Sequence, residues 1–161
     1  MNEIILKQIA ILSAIAGGAL GALSLIPYVN IFTLTILFLC VAAFVLVYMK
    51  RENLIGIFDL REGAILGSIV GFVSFVAASV VYIPIDLLLG IIPLPILQSH
   101  FFLKYFFNSF GGILVLLMLV FFAALISALM NAFAGLATSY VYEILTGFKK
   151  EENESVNFEI K

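Results

Sequence analysis

Tryptophan is absent from the chain, and cysteine and histidine occur once each, at Cys40 and His100. One thiol makes no intrachain disulfide, so no disulfide framework organises the fold. The lone histidine has no cysteine or carboxylate at ligand spacing, which argues against a metal centre. Charge is the scarcest commodity. Only 11% of residues are charged, against about 25% in a soluble domain. With 64% hydrophobic residues and a mean hydropathy of +1.24, there is too little polar surface to cover a particle in water. Lipid is the solvent that fits. There is no basic cluster suited to nucleic acid, and no Walker motif, dinucleotide fingerprint or CxxC pair. No cofactor, no metal and no catalytic residue is therefore expected. Six tyrosines and sixteen phenylalanines are available for the interfacial positions that tryptophan often fills.

What is present is length in apolar runs. A helix crosses the hydrocarbon core in about 20 residues, and four segments qualify: 9–26, 31–49, 60–82 and 111–137. The expected fold is all-α, a polytopic membrane protein of four transmembrane helices with an extracytoplasmic interfacial helix. Residues 1–150 form one transmembrane domain and 151–161 an acidic cytoplasmic tail. Local chemistry marks the ends. Asn30 is placed to cap the second run, and Asn108 or Ser109 the fourth. Asp59 and Glu62 have the spacing of a capping box before the third. Gly147, followed by Lys149 and Lys150, reads as a helix stop near Thr146.

Orientation follows from lysine and arginine. An N-terminus in the cytoplasm puts Lys7, Lys50, Arg51, Arg61, Lys149, Lys150 and Lys161 on the cytoplasmic side and only Lys104 opposite. Positive charge stays inside, so both termini are expected in the cytoplasm of a multi-pass protein of the cell membrane. The outer connection is itself greasy. Residues 85–97 are too short and proline-broken to cross, leaving a re-entrant or an interfacial path open. Residues 99–109 place His100, Lys104 and Asn108 on one face and Phe102, Leu103 and Phe106 on the other, the pattern of a helix lying in the membrane plane.

The third run carries glycine at 63, 67 and 71, although each costs a helix in water roughly 1 kcal/mol relative to alanine. Residues four apart advance about 40° around a helix, so Gly63, Gly67 and Gly71 form a narrow strip that Ser74 and Ala78 continue. Lipid supplies no hydrophobic drive between helices, and small residues let backbones approach. Gly17 and Gly21 lie in such a strip in the first run, with Ala10, Ser13, Ala14 and Ser24. Ser127, Asn131 and Gly135 do so in the fourth, with Ala124, Ala134 and Thr138. The second run shows none, which places it at the periphery.

Asn131 is the most polar side chain within a span. It reads either as an interhelical hydrogen bonder or as the lining of a path, and its count from Gly111 puts it near the cytoplasmic boundary. No ionisable residue falls at mid-span, which argues against an ion-coupled carrier. Asp86, His100 and Glu143 are the remaining polar candidates. Asp86 reads as a turn residue after a proline-ended helix, and Glu143 as facing cytoplasmic water.

Taken together, "GGALGALSLIPYVN", a second span ending in "VYMKRE" and "REGAILGSIVG" resemble small, uncharacterised four-span prokaryotic membrane proteins over about residues 15–75. Those proteins have a glycine-rich second span, which "CVAAFVLVYMK" departs from. The resemblance implies membrane location and topology. The functional expectation is a non-enzymatic helix-packing or assembly component. Its partners are the lipid bilayer and either further copies of the chain or other membrane proteins. The alternative is a channel or carrier for a small or lipophilic solute, with Asn131 and residues 90–95 near its path.

Overall fold

A helix satisfies its own backbone N–H and C=O groups, which is what lipid demands of a chain this apolar. The computed structural model describes residues 3–26, 28–52, 54, 59–89, 106–107 and 109–159, with only the helical backbone for 146–159. Within them lie five long helices: α1 (Glu3–Leu23), α2 (Val29–Leu39), α3 (Val41–Arg51), α4 (Leu60–Leu89) and α5 (Phe110–Glu159). Three of these, α1, α4 and α5, are long and apolar enough to cross a membrane. The pair α2–α3 passes the same test only when taken together, bent by 63° at Cys40. The chain is thus a helical membrane protein.

α4 is the centre of the bundle, packing most extensively on α5 and on α1. It runs antiparallel to α5: Gly63 faces Ser139 and Gly135, Gly67 faces Gly135 and Asn131, and Gly71 faces Asn131 and Ser127. It runs parallel to α1, where Gly17 meets Ser74 and Gly21 meets Ala78. These are the strips read from the sequence, and they are contact faces. A Cβ at Gly71 would sit 2.6 Å from the Ser127 carbonyl oxygen, and one at Gly63 2.8 Å from that of Gly135. Bulky side chains point the other way. Phe110, Leu117, Met118, Phe133 and Val80 are among the many large apolar residues on the exterior, where lipid covers them.

Several expectations need correction. The second run is two helices rather than one, and only its first half is peripheral: α2 buries just Thr33 and Leu37, whereas Val41, Ala42, Val45, Leu46 and Met49 of α3 join Ile9, Leu66 and Val70 in the apolar core. Large side chains fill this wedge, so it carries no small-residue strip. α4 does not end at Tyr82 but runs through Pro84 to Leu89. Proline removes one N–H and frees one carbonyl, a change that helices in lipid tolerate better than helices in water. Asp86 is consequently a helix residue, 2% exposed, rather than a turn residue. α5 passes Gly147 and continues to Glu159.

Helix ends differ in detail too. Asn30 lies inside α2, whose N-cap is Tyr28, at φ 69° and without a side-chain cap bond. Ser109 caps α5, its Oγ accepting the Gly112 N–H at 3.1 Å. Asp59 Oδ1 accepts from the Leu60 N–H, two residues before the Glu62 N–H that a capping box requires. The expected interfacial helix over 99–109 lies, but for Phe106, Phe107 and Ser109, outside the described residues.

Candidate functional site at the helix break

In an unbroken helix the carbonyls of Leu37 and Phe38 would accept from the N–H groups of Val41 and Ala42. At the break both turn to a side chain of α5. Asn131 Nδ2 donates to Leu37 O at 2.9 Å and Phe38 O at 3.0 Å. The Ala42 N–H donates to Asn131 Oδ1 at 2.9 Å. The amide has inserted itself into the helical ladder, one of the recognised causes of a sharp kink. It explains a 63° bend in a stretch, "LFLCVAAF", that contains neither proline nor glycine. Reversing the amide would set its oxygen against two carbonyls and its NH2 against an N–H, so the hydrogen-bonding pattern fixes the orientation.

Ser127, one turn before Asn131, completes the site. Its hydroxyl lies 3.1 Å from Gly71 O and 3.3 Å from Leu37 O, donating its single hydrogen to one at a time. Asn131 Nδ2 also lies 3.0 Å from Ser127 O. Three elements therefore meet through Ser127 and Asn131: the α2–α3 break, the glycine strip of α4 and α5. Both side chains are fully buried. Gly67 and Gly71 are what allow it, since a Cβ at either would collide with Asn131. Cys40 separates two helices of 11 residues each. The cluster accordingly sits at mid-length of the bent pair, not near one boundary as the count from Gly111 suggests. The start of α5 lies further from the cluster than the start of α2 does: 21 residues of α5 precede Asn131, whereas α2 has 11 before Cys40.

Two further polar contacts tie the bundle. Ser74 Oγ donates to Ser13 O at 3.0 Å across α1 and α4, and Ser24, in the turn just after α1, shares a 2.8 Å hydrogen bond with Thr33 of α2. Ser139, which sequence reading passed over, lies against Gly63 and donates to Gly135 O at 2.9 Å. The four-residue spacing from Gly135 was the available signal for it.

Of the remaining polar candidates, Asp86 is buried near the end of α4. Glu143 is exposed on α5, beyond the Gly63–Ser139 contact and so at the opposite end of α4. His100 lies outside the described residues. Asp86 and Glu143 are not brought together. Among the described residues, no three of His, Cys, Asp and Glu gather in one place. Compared with known proteins, the chain matches no protein-family model, no curated protein and no solved structure.

Proposed function

We propose that the chain is a non-enzymatic, four-span protein of the cell membrane with both termini in the cytoplasm. It serves as a helix-packing or assembly component of a homo-oligomer or a larger membrane complex. The observation that carries this reading is how the polar interior is spent. Asn131, Ser127, Ser74, Ser24 and Thr33 are all engaged in holding one helix to another. The excess of lysine and arginine at one end supports the orientation. Crosslinking in native membranes, followed by purification in a mild detergent, tests the role. A defined oligomer or a reproducible partner is the expected result, and a strictly monomeric protein that brings down nothing would overturn it.

A second reading, a channel or carrier for a small or lipophilic solute, is favoured by the broken span itself. Discontinuous helices at mid-membrane supply the backbone groups from which many carriers build their sites. Flux into proteoliposomes, abolished by Asn131→Leu in a variant that still shows a cooperative unfolding transition, would establish it. Absence of flux across a broad solute panel returns the site to a packing role.

A further inference from the structure

Between α1 and α3, at the end remote from the Ser24–Thr33 contact, lies an open groove of ≈ 200 Å³ lined by Gln8, Ile11, Leu12, Tyr48, Met49 and Leu54. Its walls are almost wholly apolar. Met49 is its buried floor, and Ile11 and Tyr48 are exposed at its sides. Leu54 is held over it by a 2.9 Å bond from its N–H to the Met49 carbonyl.

The groove has a charged mouth. Lys7 precedes Ile11 by four residues, so it lies on the same face of α1, one turn nearer the helix start. Arg51 follows Tyr48 by three, one turn nearer the end of α3 on the same face. The chain runs up α1 and back down α2–α3, so both cations stand at the same end of the groove. Both are exposed. Lys50 adds a third positive charge, against Glu3 and Glu52 as the nearby acids in the sequence. By contrast, the apolar exterior of α5 between Phe110 and Leu145 carries no lysine or arginine at all. An apolar slot with cations at one end occurs here and not along that face.

We propose that this groove binds an anionic phospholipid, with an acyl chain laid against Ile11, Leu12, Met49 and Leu54 and the headgroup phosphate held by Lys7 and Arg51. The chemistry is complementary at both ends. An acyl chain gains by leaving a loose annulus for a walled slot, and a phosphate accepts charge-assisted hydrogen bonds from guanidinium and ammonium donors. Basic residues close to a membrane surface attract anionic lipid, and each contributes independently. The proposal rests on the chain being embedded in a bilayer and stands whether or not the protein assembles with others.

The test uses the full chain in a neutral detergent, with thermal unfolding followed as dioleoyl phosphatidylglycerol, dioleoyl phosphatidylcholine or inorganic phosphate is added. Phosphatidylglycerol is expected to raise Tm by roughly 4 °C more than phosphatidylcholine does, and inorganic phosphate alone to leave it unchanged. K7Q/R51Q, which alters only exposed side chains, should unfold normally in lipid-free detergent and lose that extra increment. Ile11→Trp, which fills the slot and keeps both cations, should lose it as well. Equal shifts from the two lipids, a shift from phosphate alone, or an increment that survives in either variant would each overturn the proposal.

Discussion

Asn131 illustrates how much one side chain decides in a medium without water. Interhelical hydrogen bonds in membranes contribute about 0.6 kcal/mol on average, because the separated helices find other partners. Asn131 should exceed that mean, since two carbonyls and one N–H at the break depend on it together. Asn131→Leu is expected to lower the unfolding free energy by about 2 kcal/mol, measured by denaturant titration in mixed micelles. Asn131→Asp should not restore it fully, because a carboxyl buried here takes up a proton and then has a single O–H for the two carbonyls of Leu37 and Phe38. Ser127→Ala should cost only about 0.6 kcal/mol, removing a single shared donor.

The glycines separate in the same way by what stands opposite them. Gly67→Ala presses a methyl onto the backbone of Asn131 and Gly135, which cannot rotate aside, and should destabilise by about 1–3 kcal/mol. Gly18→Ala meets only the end of the Val81 side chain, at 3.6 Å, and should be tolerated. Ile65→Leu on the exposed face of α4 is the matching control, expected within about 0.5 kcal/mol of the parent. Val70 would not serve as that control, being fully buried in the core.

At the scale of elements, the second span shows why periodicity alone misplaced a helix. Residues 31–49 hold no helix breaker and read as one apolar rod. The bend comes from α5, some 90 residues later in the chain, through an amide that replaces the local ladder. Removing that amide should let the rod straighten. Two helices of 11 residues, each about 17 Å long, span about 29 Å end to end when bent by 63° and about 34 Å when straight. Spin labels near Tyr28 and Arg51, in a Cys40→Ser background, should therefore report a distance about 5 Å longer in Asn131→Leu. An unchanged distance would show that core packing of Val45, Leu46 and Met49 holds the bend without the amide. α4 teaches the complementary lesson. Pro84 is a stop signal calibrated in water, and here α4 runs through it.

For the whole molecule, the arrangement inverts the rule of a soluble protein. Small residues face inward where α4 meets α1 and α5 at backbone contact, and many of the large apolar side chains face outward. Such a surface is stable only where the solvent is apolar too. The chain is accordingly expected to leave membranes with detergent and to aggregate on its removal. The orientation proposed above adds a topological test. Reporter fusions at either terminus should be active on the cytoplasmic side, while a cysteine replacing the exposed Tyr28 should react with impermeant reagents only from the outer side.

Residue order alone determined that the chain is helical and lives in lipid, and which strips of α1, α4 and α5 touch. Those properties depend on composition and on a period of 3.6 residues, both local quantities. Asn131 was legible as an unusual residue, because a polar amide among apolar neighbours is conspicuous in any window. Its partners were not. They are backbone groups of Leu37, Phe38 and Ala42, and backbone atoms carry no residue-specific signature. The break at Cys40, the burial of the apolar face of α3 and the mid-length depth of the polar cluster were decided only when α5 closed on α2, α3 and α4. Each depends on a contact between segments far apart in the chain, where a hydrogen bond across the bundle outweighs the local tendency to continue a helix.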